Sequence, residues 1–231
     1  MPLAVDVISD VICPWCWVGK RRLEKAVAAV AGTHEVVVRW HPFQLNPNIP
    51  PGGVERRAYR AAKFGSWERS LERDARLAAV GAEEGIDFAF EKVARTPNTL
   101  AAHRLIRLAG GHGVQDAVVE ALFRAYFTEG RDVGDRGTLL DVAAGAGLGR
   151  DPAEAELDSE DGLRAIRAEE GEARRVGVGG VPFFVINGEL ALSGAQPPDA
   201  FLAAFDQVSR AVTGAARPGT CPVGPGREPA C

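Results

Sequence analysis

The chain is poor in cysteine, with four in 231 residues. That is too few for a disulfide-stapled scaffold, so each cysteine has to be weighed as a possible reactive group. There is no apolar run of about twenty residues, so no transmembrane helix is expected. Basic charge is not in surplus either: 27 Lys and Arg stand against 31 Asp and Glu, a formal net charge of −4. A nucleic-acid-binding domain wants a basic face, so neither nucleic acid nor membrane is an expected partner. The opening Met1-Pro2-Leu3-Ala4-Val5-Asp6-Val7 lacks the basic segment and the apolar stretch of a secretory signal. A cytoplasmic location is expected on that ground, and disulfides there are usually catalytic or sensing. No histidine pair has zinc-finger spacing, and there is no internal repeat.

What is present starts at Asp10-Val11-Ile12-Cys13-Pro14-Trp15-Cys16-Trp17. Two of the cysteines stand there as Cys-x-x-Cys. An apolar run, Leu3 to Ile8, precedes them and predicts a strand. An amphipathic run, Val18 to Val30, follows and predicts a helix with Leu23, Val27 and Val30 toward the core. The cysteines therefore fall where a strand hands over to a helix N-terminus. Roughly half a positive charge and unpaired amide donors gather at such a terminus, and they stabilise a thiolate. Cys13 is the expected attacking sulfur, with Pro14 suited to the first helical position. Cys16, three residues on, lies on the same face and is the expected resolving thiol. Zinc is the competing use of this spacing, but a structural site wants four ligands, and Cys221 and Cys231 are remote. Lys20, Arg21, Arg22 and Lys25 are expected on a solvated face of the helix.

Further along, Glu35 to Trp40 is rich in β-branched residues and predicts a second strand, parallel to the first across a right-handed crossover. His41 to Gly53 predicts a loop by its Pro and Gly content. Then comes a long helical region: 54–63, a segment marked by Trp67, Leu71 and Ala78, then 99–109, 115–128, 138–146 and 161–176. Val118, Leu122, Ala125 and Tyr126 form an inner stripe, and Ile86 to Phe90 alternates as if extended. Strands return at 181–186 and 189–192 around Asn187-Gly188, the strongest short hairpin signal. Gln196 to Asp199 opens a last helix with Phe201, Phe205 and Val208 inward. The Pro- and Gly-rich chain beyond Gly214 predicts a flexible tail. The expected division is a discontinuous α/β domain, 1–45 and 165–213, an inserted helical domain, 46–164, and a Cys-containing tail, 214–231. His34, His41 and His112 lie in or near turns and carry no assigned role.

Taken in order, Ser9 to Arg22, Asn98 to Arg104, Phe123 to Phe127, Gly177 to Val185 and Ser193 to Gln196 resemble the thioredoxin-like superfamily. The likeness is to DsbA-type oxidoreductases, specifically the FrnE-like branch related to 2-hydroxychromene-2-carboxylate isomerase, over residues 3 to 212. It implies an α/β thioredoxin-like fold with a large all-helical insertion after the second strand. It implies a cis peptide at Val181–Pro182, packed against the Cys13–Cys16 pair, with the Val181 backbone as a docking edge for an extended substrate. Pro14 and Trp15 shape the same site by this likeness, and Asn98 and His103 match a family stretch beside it.

The isomerase branch typically carries serine at the first catalytic position. Cys13 together with Cys16 favours dithiol–disulfide exchange with protein thiols, protein disulfides or glutathione. No bound cofactor is expected, with glutathione a co-substrate at most, and the chain is expected as a monomer or homodimer. Two alternatives stand beside this. One is a glutathione-dependent isomerase or transferase, with an aromatic substrate in a pocket lined by Trp15, Phe43 and Trp67. The other is a chaperone-like binder using an apolar groove beside the site. Cys221 and Cys231 lie outside the shared region, as a second redox pair, a tail disulfide or two idle thiols.

Overall fold

The computed structural model describes residues 2–215. The remainder of the tail, with Cys221 and Cys231, lies outside the described residues.

The apolar opening run becomes β1 (Leu3–Ser9), buried at alternate positions and then throughout. That pattern suits a strand with neighbours on both sides. The helix α1 (Pro14–Val30) follows and leads to β2 (Val36–Pro42), which pairs with β1 in parallel, Leu3 opposite Val36 and Ser9 opposite Pro42. Helices then dominate: α2 (Arg56–Phe64), α3 (Trp67–Glu83), α4 (Leu100–Gly111), α5 (Gln115–Phe127), α6 (Arg136–Gly145), α7 (Arg150–Asp158) and α8 (Glu160–Arg175). Among them runs a two-residue antiparallel ladder, β3 (Val54–Glu55) with β4 (Arg95–Thr96). The hairpin β5 (Phe183–Ile186) and β6 (Leu190–Ser193) completes a sheet ordered β2-β1-β5-β6, with β5 antiparallel to β1. Asn187 and Gly188 both have positive φ, 50° and 72°, as a type I′ turn requires. The last helix is α9 (Pro198–Ala215). This is a mixed α/β thioredoxin-like fold with helices inserted after the second strand.

One core runs from the sheet into the inserted helices. Val5, Val7 and Phe184 from the sheet and Leu105, Leu122 and Phe123 from α4 and α5 belong to the same cluster. Trp17 on α1 joins the two regions: its ring stacks on Phe123 and Phe127 and meets the edge of Phe88 at 5.5 Å. Such aromatic contacts add about 0.5–1.5 kcal/mol each beyond the area they bury. The active-site helix is therefore fixed from both sides.

Three expectations are corrected. Residues 54 and 55 are strand, because the Glu55 carboxylate accepts the N–H groups of Arg57 (2.8 Å) and Ala58 (2.6 Å) and starts α2 only at Arg56. Ile86 to Phe90 is not a strand: Ala89 N–H donates to Phe127 O at 2.8 Å, and a 3-10 turn follows at Phe90–Lys92. Of the cations of α1 only Lys25 is more than half exposed; Lys20, Arg21 and Arg22 are not a solvated face. Lys20 is buried between Glu24, Asp116 and Glu120, Arg21 pairs with Glu120, and Arg22 and Lys25 hold Glu84 at 2.6 Å. They clamp α1 to α5 and to the end of α3.

Candidate active site

Cys13 is the N-cap of α1, with extended backbone (φ −93°, ψ 108°), and Pro14 opens the helix. Asp10 O accepts the Cys13 N–H at 3.0 Å, and Cys13 O accepts the Cys16 N–H at 3.0 Å, so a tight turn delivers the strand into the helix. The Cys13 side chain makes no cap hydrogen bond. Its Sγ instead donates to the Val181 carbonyl at 3.5 Å. The Val181–Pro182 peptide bond is cis. Pro182 reaches α1 because position 19 is glycine; a Cβ there would stand 3.1 Å from the Pro182 ring and 3.0 Å from Phe184.

Both cysteines are free thiols. Cys16 lies behind Cys13 and is fully buried. Burial pushes its thiol well above the usual range, and the hydrogen bond and charge of Cys13 push it further. The Ser9 side chain and the Asp10 backbone pull it part of the way back. The inner thiol therefore keeps its proton; Cys13 is itself 5% exposed and lines the cavity beside Trp15.

Asp10 is a residue to which the sequence reading gave no role. It is wholly buried directly before the Cys-x-x-Cys turn, and its carboxylate accepts the Leu45 N–H at 2.8 Å and the Ile12 N–H at 3.4 Å. A carboxylate just past a buried strand and three residues before a cysteine was the available signal. His103, on α4, is 2% exposed, and its Nε2 stands 3.6 Å from Asp10 Oδ1 without a hydrogen-bond partner among the described residues. Asn98 is engaged elsewhere: its Nδ2 donates to Ile49 O at 2.7 Å, and its Oδ1 accepts the Leu100 N–H that opens α4. It ties the loop after β2 to the helix that carries His103.

A cavity of about 910 Å³ opens beside the pair, lined by Cys13, Pro14 and Trp15 on one hand and by α2 and α3 on the other. Gly65 ends α2 in the left-handed conformation (φ 90°), and the Ser66 hydroxyl caps α3 by accepting the Arg69 N–H. That turn folds the two helices together. The expected aromatic pocket does not form as a unit. Trp15 lines this cavity and is 44% exposed, while Phe43 is buried with Ile8 and Val178 under the Arg174 guanidinium. Trp67 lines a second cavity, of about 580 Å³, on α3.

A parallel β-α-β opening, a dithiol at the helix start and a cis proline against it define a thioredoxin-class dithiol protein. Within that class, residues 4–206 match the DSBA-like thioredoxin domain, and the chain belongs to that family. It is similar to a probable DsbA oxidoreductase, SCO1869 of Streptomyces coelicolor: 34% identity, TM-score 0.82, covering 95% of this chain and 93% of that one. It shares its fold with 2-hydroxychromene-2-carboxylate isomerase (17% identity, TM-score 0.70, 93% and 100% covered). The same holds for the cytosolic disulfide reductase DsbM of Pseudomonas aeruginosa, solved with GSH (23% identity, TM-score 0.62, 90% and 99% covered). Among the described residues no helix is long and apolar enough to cross a membrane, and no cluster of His, Cys, Asp and Glu could hold a metal ion.

Proposed function

We propose that the chain is a thiol–disulfide oxidoreductase that exchanges the Cys13–Cys16 dithiol with protein or small-molecule disulfides. One observation carries this reading: Cys13 stands at the N-cap position of α1 with its Sγ on the Val181 carbonyl and a buried, protonated Cys16 behind it. In the reducing direction the Cys13 thiolate attacks one sulfur of the substrate disulfide. A mixed disulfide forms, and the first substrate thiolate leaves and takes a proton from water. Cys16 then loses its proton and attacks the Cys13 sulfur, expelling the second substrate thiolate. The protein loses two electrons and the substrate gains them. The oxidising direction reverses each step.

Val181 and Pro182 supply the docking edge, where an extended substrate chain pairs with the Val181 backbone. Pro14 fixes the start of the helix, and Trp15 forms an exposed apolar wall beside the attacking sulfur. His103 and Asn98 shape the floor through Asp10 and the loop after β2. Glutathione serves as co-substrate, a reading supported by the likeness in fold to a reductase solved with GSH. A cytoplasmic site of action agrees with that likeness. Insulin reduction followed by turbidity tests the proposal. Wild type is expected to speed precipitation by dithiothreitol and Cys13→Ser is not; equal curves would reject it.

A further inference from the structure

The cavity beside Cys13 carries charge that the exchange chemistry does not need. Arg56, Arg60, Lys63, Arg69, Arg73 and Arg76 line it, against two carboxylates, Glu72 and Asp74. This is a local cationic excess on a chain whose net charge is −4. Asp74 is already shared: it accepts from Arg56 and from Arg60, each at 2.6 Å. Among the described residues, Arg69, Arg73 and Arg76 have no carboxylate within salt-bridge distance. Arg60 and Arg73 both lie over the Phe64 ring, at 4.9 and 4.8 Å, so one ring carries two like charges. Burial and the neighbouring guanidinium groups of Arg56 and Arg73 pull Arg60 below its usual range, although Asp74 opposes them. A wall of this kind is short of anions.

We propose that the α2–α3 wall is a binding site for the phosphate groups of a phosphorylated low-molecular-weight thiol or disulfide whose sulfur is delivered to Cys13. The inference rests on the dithiol reading above and names its substrate class. Three features favour this occupant. The volume, about 910 Å³, falls in the range of about 300–1,000 Å³ usual for small-molecule sites. Guanidinium forks match phosphate oxygens with paired hydrogen bonds, and five of the six cations are arginines. Glutathione offsets its carboxylates with an ammonium group, whereas each phosphate monoester brings about −1.5 to −2 charges at neutral pH. Ile12, Trp15 and Leu45 give the stretch near Cys13 an apolar lining suited to an uncharged linker between sulfur and phosphate. The redox step is the one already written: Cys13 and Cys16 become a disulfide and the substrate disulfide becomes two thiols.

The test mixes the pre-reduced full chain, in a single turnover, with coenzyme A disulfide, glutathione disulfide and cystamine. Each rate of thiol release is divided by the rate of the same disulfide with dithiothreitol. Coenzyme A disulfide is expected to lead glutathione disulfide at least tenfold at low salt, and the lead is expected to shrink as salt screens the charges. Arg73→Ala with Arg76→Ala is expected to lower the ratio of coenzyme A disulfide to cystamine at least fivefold, and the two Lys substitutions to restore part of it. A wild-type rate for coenzyme A disulfide no greater than for glutathione disulfide would overturn the proposal, as would an unchanged ratio in the double variant. An acidic disulfide-bearing peptide that outruns coenzyme A disulfide would also overturn it. Failure of the dithiol reading looks different, because then cystamine and insulin are not reduced either.

Discussion

Gly19 is where the active-site helix touches the proline opposite, and Gly19→Ala measures how much that contact matters. Glycine inside a helix is less favourable than alanine by about 1 kcal/mol, so the substitution begins with a gain. The added Cβ would stand 3.0 Å from the Phe184 ring and 3.1 Å from the Pro182 ring. Neither ring has room to give: Phe184 is wholly buried and meets Phe201 edge-on at 4.8 Å, and Pro182 is rigid. Overpacking of this sort costs about 1–3 kcal/mol. Gly171→Ala in α8 is the matched control, since a Cβ there meets nothing within 4 Å. The helix gain is common to both variants, so their difference isolates the packing cost. Gly171→Ala is expected to be more stable than Gly19→Ala by about 1–3 kcal/mol, or about 2–12 °C in Tm for a chain of this size. Urea and thermal unfolding measure it. Insulin reduction by Gly19→Ala is expected to slow as well, because Pro182 has to move away from Cys13. A Gly19→Ala protein as stable and as active as Gly171→Ala would refute the reasoning.

His41 links three elements. Its Nδ1 stands 3.9 Å from Glu169 on α8, and its Nε2 stands 2.9 Å from Asp6 on β1. Glu169 foremost, then Asp6, raises its pKa against the opposing effect of burial. A raised native value means that the stabilisation is complete below the ordinary histidine pKa of about 6.5 and fades as pH rises through the native value. His41→Gln is expected to lower Tm at pH 5.5 and to converge on wild type at pH 8.5; equal losses at both would contradict the assignment. Asp74 is the shared carboxylate partner of two largely buried guanidinium groups, so Asp74→Ala removes that partner from both and is expected to cost about 3–5 kcal/mol in urea unfolding. A loss below about 1 kcal/mol would mean that water already screens the pair.

The parts of the fold legible in the sequence are those whose signal is local. Leu3 to Ile8, the Cys-x-x-Cys turn and Asn187-Gly188 each state their conformation within a few residues, and the sheet follows from them. The helix α7 carries no such signal, because Ala153 is its one buried side chain among polar neighbours. The β3–β4 ladder is two residues long, shorter than any periodicity. The fate of Lys20 to Lys25 depended on where Glu84, Asp116 and Glu120 arrive, which only tertiary packing decides. At the site, Cys13 and Cys16 were legible as a pair. Asp10 is harder to read because its shorter backbone contact is to the N–H of Leu45, on a loop distant in sequence. The cationic wall was invisible for a related reason: its residues sit on two helices and meet only across the Gly65–Ser66 turn.

Central to the account is a division of labour between two sulfurs, one that attacks and one that releases. Mass analysis of pre-reduced Cys16→Ala and Cys13→Ala after brief exposure to glutathione disulfide tests it directly. A single persistent mixed disulfide on Cys13 is expected in the first protein, with none on Cys16 in the second over the same interval. Equal modification of the two sulfurs, or none at Cys13, would contradict it.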